Sequence, residues 1–73
     1  MGERLQILYM QVRLLRLASE RWNSTIDDTA KVFKDKGVFD YIAELWDLFH
    51  VEGDTAVLED INEYIEAKGG VNV

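Results

Sequence analysis

Apolar side chains recur along this chain at spacings of three and four residues, the rhythm of one helix face. No run alternates in the two-residue rhythm of a half-buried strand. The pattern is interrupted at Asn23-Ser24, Gly37, Gly53-Asp54 and Gly69-Gly70. Such residues end helices and start turns, so they divide the chain into four helical segments. The expected fold is all-α, a compact four-helix single domain over residues 1–70, with helix 1 the longest and residues 71–73 a flexible tail.

Helix 1, expected over residues 3–22, has one apolar row too many. Leu5, Leu8, Val12, Leu15 and Trp22 form one row; Ile7, Met10, Leu14 and Leu17 form a second on nearly the opposite side. A helix laid against a single core needs only one. The first row suffices to cover a small core. That leaves Ile7, Met10, Leu14 and Leu17 as the expected interface of a homodimer, two-fold pairing being the commonest solution. In the rival arrangements helix 1 is central and both rows are wrapped, or the second row awaits a different protein.

The other segments are amphipathic in the ordinary way. Helix 2, over residues 25–36, has Ser24 as its expected N-cap and Ile26, Ala30 and Phe33 as its inward row; Asp27 and Asp28 sit at the positive end of its dipole, Lys34 and Lys36 at the negative end. Gly37 stops it. Helix 3, over 39–51, carries a wide apolar face opposite a narrow acidic one of Asp40, Glu44 and Asp47. Helix 4, over 54–68, has Asp54 as expected N-cap and Gly69 just past its end, with Glu59, Asp60, Glu63 and Glu66 outward. The core is expected to hold Trp22, Phe33, Phe39, Ile42, Leu45, Phe49, Leu58, Ile61 and Ile65.

Composition narrows the class. With 73 residues the chain is one domain, and 48% hydrophobic with 30% charged residues is neither a disordered nor a membrane-spanning composition. There is no Cys to form a disulfide or a thiolate metal site. The most apolar stretch, residues 5–18, is broken by Gln6, Gln11, Arg13 and Arg16, which suits neither a membrane span nor a secretory leader. The expected compartment is the cytoplasm.

Charge is unevenly placed. Residues 1–36 hold seven basic and five acidic side chains; residues 37–73 hold one basic and nine acidic, a formal −8. Helices 2 and 3 are joined by a tight Gly turn, as in a helix-turn-helix, but helix 3 carries Asp40, Glu44 and Asp47 and no cation, so phosphates repel it. No nucleic-acid partner is expected. The acidic half is either a solubilising surface or a docking surface for a basic protein, with Asp40, Glu44, Asp47, His50, Glu59, Asp60 and Glu63 as candidates.

Candidate chemistry is sparse. His50 is the lone imidazole; with Asp47 and Glu44 it places carboxylates one and two turns away, the spacing that helical metal sites use. The plainer reading is that His50 bonds a backbone carbonyl and closes helix 3 against its dipole. Ser19 and Ser24 sit in no nucleophile elbow, and no glycine loop precedes a helix in the manner of a phosphate cradle. No enzyme activity and no cofactor are expected.

The runs Phe33-Lys34, Gly37-Val38-Phe39-Asp40-Tyr41-Ile42 and Val57-Leu58-Glu59-Asp60-Ile61-Asn62-Glu63-Tyr64-Ile65, with Leu45, Leu48, His50 and Gly53 between them, carry a likeness. This stretch, residues 32–65, resembles a family of short bacterial all-helical proteins known as a domain of unknown function. The resemblance implies no catalytic residue. It implies an accessory gene, in places beside a toxin-like ADP-ribosyltransferase, and hence an antitoxin or immunity-type partner. The function expected from residues and resemblance together is a small acidic protein-binding module that self-associates. The alternative is a metal- or small-molecule-binding helical protein built on Asp47, His50 and Glu44.

Overall fold

A computed structural model describes residues 2–69; the tail expected at residues 71–73 lies outside the described residues. The elements in order are α1 (Glu3–Arg21), α2 (Ile26–Asp35), α3 (Val38–Glu44), α4 (Trp46–Phe49) and α5 (Asp54–Ala67), and the described residues contain no strand. The fold is all-α as the periodicity implies, with α1 the longest element. One expected helix is divided. In place of one helix over 39–51, residues 38–49 form α3 and α4, separated at Leu45, whose φ of −100° and ψ of 17° leave the helical well. The amides of Leu48 and Phe49 both donate to the Leu45 carbonyl, so a new turn starts at the residue that ended the old one.

The helix ends follow local chemistry. At the end of α1, Asn23 takes the left-handed conformation (φ 55°), Ser24 N–H donates to Ser19 O at 2.9 Å and Asn23 N–H to Glu20 O at 3.2 Å. This double bond pattern is a Schellman stop built on an Asn. The N-cap of α2 is Thr25, not Ser24: its hydroxyl accepts from Asp28 N–H at 3.0 Å, while the Ser24 hydroxyl donates back to Trp22 O. Gly37, at φ 72°, stops α2 and at once opens α3, its carbonyl accepting from Tyr41 N–H. Gly53, in extended conformation, caps α5, and Asp54 lies inside the first turn. The Asp54 carboxylate instead receives Arg13 at 3.0 Å, which ties α5 to α1.

The core is contributed by every helix. Met10, Leu14 and Ala18 of α1 meet Phe33, Val38, Ile42, Phe49, Val57, Ile61 and Ile65. Of the expected core, Phe33, Ile42, Phe49, Ile61 and Ile65 are fully buried, and Trp22, Phe39, Leu45 and Leu58 pack half-buried against them. Phe33 takes Trp22 and Phe39 edge-on at 6.1 and 5.4 Å between ring centroids, a geometry that suits the aromatic quadrupoles.

The two rows of α1 share the core differently from expectation, although Leu15 and Trp22 of the first row still pack half-buried against it. Met10 and Leu14 are 5% and 0% exposed, and Ile7 and Leu17 flank them half-buried, so the row expected at a dimer interface turns its middle into the chain's own core. Leu5, Leu8 and Val12 are 38%, 51% and 49% exposed. The inward row runs on at the same four-residue step to Ala18, which is wholly buried. Two polar contacts accompany this rotation. Gln11 donates to Phe39 O at 2.8 Å, and Arg13 pairs with Asp54 from the other flank of Met10 and Leu14.

Candidate functional site

The acidic residues singled out in the sequence stand on three helices. Asp40 and Glu44 lie a turn apart on exposed α3, and Asp47 stands in α4. Glu59 faces a groove between α1 and α5 lined also by Ala18, Arg21, Trp22, Leu58 and Asn62. Asp60 and Glu63 act elsewhere. With Glu52 they place negative charge around Tyr41, a half-buried side chain of α3. Burial first, and then the charges of Asp60, Glu63 and Glu52 and the Tyr64 phenol, push the Tyr41 hydroxyl above its ordinary value.

The strongest cluster is therefore acidic and aromatic. Tyr41 and Tyr64 stack with ring centroids 3.9 Å apart and planes 15° from parallel, joining α3 to α5. Phe49 meets Tyr41 edge-on at 5.7 Å from the core side. Lys68 lies over the Tyr64 ring at 4.8 Å, a cation–π contact, and Lys36 Nζ donates to Lys68 O at 3.2 Å. Glu52, in the link before α5, has one carboxylate oxygen buried with no hydrogen-bond partner among the described residues. Sequence reasoning missed Glu52, Tyr41 and Tyr64 as site residues. Their meeting depends on how α3 and α5 cross, and no spacing along the chain records a crossing.

His50 sits where the plainer reading places it. Its Nδ1 is 3.0 Å from Trp46 O, and its ring stacks on the Trp46 indole at 4.7 Å and 22°. A carbonyl only accepts, so Nδ1 is the donor where this contact is a hydrogen bond. Glu44, Asp47 and His50 are not brought together as ligands, and no group of three His, Asp or Glu side chains that could hold a metal ion occurs among the described residues. His50 and Trp46 instead face Gln6, Tyr9, Met10 and Arg13 across a surface groove. No helix among the described residues is long and apolar enough to cross a membrane.

Comparison with known proteins found no curated protein and no solved structure that matches the chain. A family model described as "Protein of unknown function (DUF3791)" matches residues 9–68, which takes in four of the five helices whole and most of α1. The runs around Phe33, Gly37 and Val57 that carry the sequence likeness all lie within that match, and the chain belongs to the DUF3791 family.

Proposed function

We propose that this chain is a small acidic protein-binding module, without a catalytic step of its own, that docks a basic protein and also associates with itself. The observation that supports docking is the acidic–aromatic cluster of α3 and α5. Asp60, Glu63 and Glu52 bring negative charge to Tyr41, whose ring stacks on Tyr64. Carboxylates beside aromatic faces attract ammonium and guanidinium groups by charge and by the ring quadrupole. The chain already makes one such contact, between Lys68 and Tyr64. The charge imbalance acts in the same direction, since a formal −8 over residues 37–73 steers cations towards this half.

The finer reading is that of a bacterial cytoplasmic accessory protein whose partner is a toxin-like ADP-ribosyltransferase encoded beside it, which it neutralises by binding. Its support is the sequence resemblance alone. Affinity purification of the tagged chain from its native cell tests both levels. The double variant Asp60→Asn with Glu63→Gln removes charge while keeping shape. A basic protein retained by wild type and lost by this variant is the expected result, and the product of the neighbouring gene is the first identity to check. A partner retained equally by both proteins would reject the acidic–aromatic cluster as the docking site.

A further inference from the structure

We propose that two copies of this chain pair through α1, antiparallel, along the exposed row of Leu5, Leu8 and Val12 and the half-buried Leu15 at its end, which also packs against the chain's own core. This rests on the reading that the chain self-associates, and it names the surface and its geometry. Spacing is the first reason to seat a second copy there. The row steps by three, four and three residues, the alternation of a two-stranded coiled-coil seam, so it stays in register with a helical partner along its length.

The spacing also reads the same in both directions. Turning a second α1 end for end about a two-fold axis beside residue 10 sets Leu5 against the partner's Leu15 and Leu8 against the partner's Val12. One row then fills every seat twice, which is the condition for a closed, self-complementary interface.

The row has a definite end that selects the antiparallel pair. Ser19, the next position of the repeat, is 4% exposed, and the chain turns back at Asn23 into α2. In a parallel pair the two turns would meet side by side at one end and hold the helices apart. In the antiparallel pair each turn lies beyond the partner's Glu3.

Area sets the strength. Tyr9, 66% exposed, stands beside the axis and extends the row. Together these side chains present roughly 350 Å² of apolar surface, the size of the largest patch on a typical monomer. Two copies with their flanking arginine stems bury about 1,000 Å², the low end for a specific interface. The pair is thus a concentration-dependent equilibrium. Each copy carries a net charge of −6, so added salt strengthens the pair by screening.

Sedimentation equilibrium of the full chain from about 1 µM to about 1 mM reads this directly. Wild type should shift from monomer to dimer across that range, and Leu8→Glu should stay monomeric with unchanged helical circular dichroism. The chain has no cysteine, so Leu8→Cys and Val12→Cys give an independent reading should Leu8→Glu fail to fold. Oxidation of the two variants mixed should yield a disulfide dimer, and oxidation of either alone should not. Cross-linking of each alone would overturn the antiparallel geometry. A wild-type dimer that Leu8→Glu leaves intact would overturn the seam but not self-association, and a wild-type monomer throughout would overturn both. A monomer that co-sediments with anionic phospholipid vesicles, and loses this with Leu8→Glu, would assign the row to a membrane surface instead.

Discussion

Leu14→Ala and Leu8→Ala remove the same atoms from the same helix, and the rotation of α1 predicts very different costs. Leu14 has 0% exposure and sits between Met10 and Ala18 in the core, so truncation removes its burial and leaves a cavity. Such a change costs about 3 kcal/mol, within a usual range of roughly 2–5. Leu8 is half exposed, loses little burial, and leaves no enclosed space; its truncation should cost at most about 1 kcal/mol. A chain of 73 residues has a total stability of roughly 4–11 kcal/mol, so the Leu14 variant gives up a large share of it. At about 4–8 °C per kcal/mol for a domain this size, its midpoint should fall by about 15–20 °C, and that of the Leu8 variant by less than about 8 °C. Urea and thermal unfolding followed by circular dichroism measure both, at about 5 µM so that pairing does not contribute. Equal losses, or a greater loss from Leu8→Ala, would refute the assignment of the inward row.

Thr25→Ala should cost about 1 kcal/mol in urea unfolding, because the α2 cap is lost, while Ser24→Ala should stay within about 0.5. His50→Asn should keep the fold and cost less than about 1 kcal/mol in urea unfolding, since it removes one exposed contact to Trp46 O; a loss above about 2 would contradict a purely local role. Tyr41→Phe should abolish a tyrosinate absorbance component that titrates above the ordinary value of 10.0. The sign for stability follows from linkage. The folded chain holds this proton more tightly than the unfolded one, so stability is intact below the unfolded pKa and declines as pH rises through the raised folded value. Tyr41→Phe should flatten that alkaline decline, and an unchanged pH profile would refute the upward shift of this hydroxyl.

What was legible in the sequence is local. Helix content, the stops at Asn23, Gly37 and Gly69, and half of the buried core (Phe33, Ile42, Phe49, Ile61 and Ile65) follow from three- and four-residue spacing and from residues that tolerate a left-handed backbone. The break at Leu45 is marked by no Gly or Pro, so the pattern reads straight through it. The rotation of α1 was not legible because both its rows are apolar. The choice goes with contacts distant in sequence: Gln11 reaches Phe39 O and Arg13 reaches Asp54. Ala18 was the available signal, since an alanine four residues beyond Leu14 continues one row. The acidic surface was legible as charge but not as a place. Asp60 and Glu63 gather with Glu52 about Tyr41, whereas Glu59, on the same helix, faces the groove beside Arg21.

The division of α1 into a row that packs inward and a row that meets a second copy is tested most directly by isotope-filtered NMR. Labelled and unlabelled chains are mixed near 1 mM, where pairing is expected to be substantial. Intermolecular contacts should join Leu8 methyls to Val12 methyls and Leu5 to Leu15, with none from Met10 or Leu14. Intermolecular contacts from Met10 and Leu14, or none from the Leu8 row, would contradict it.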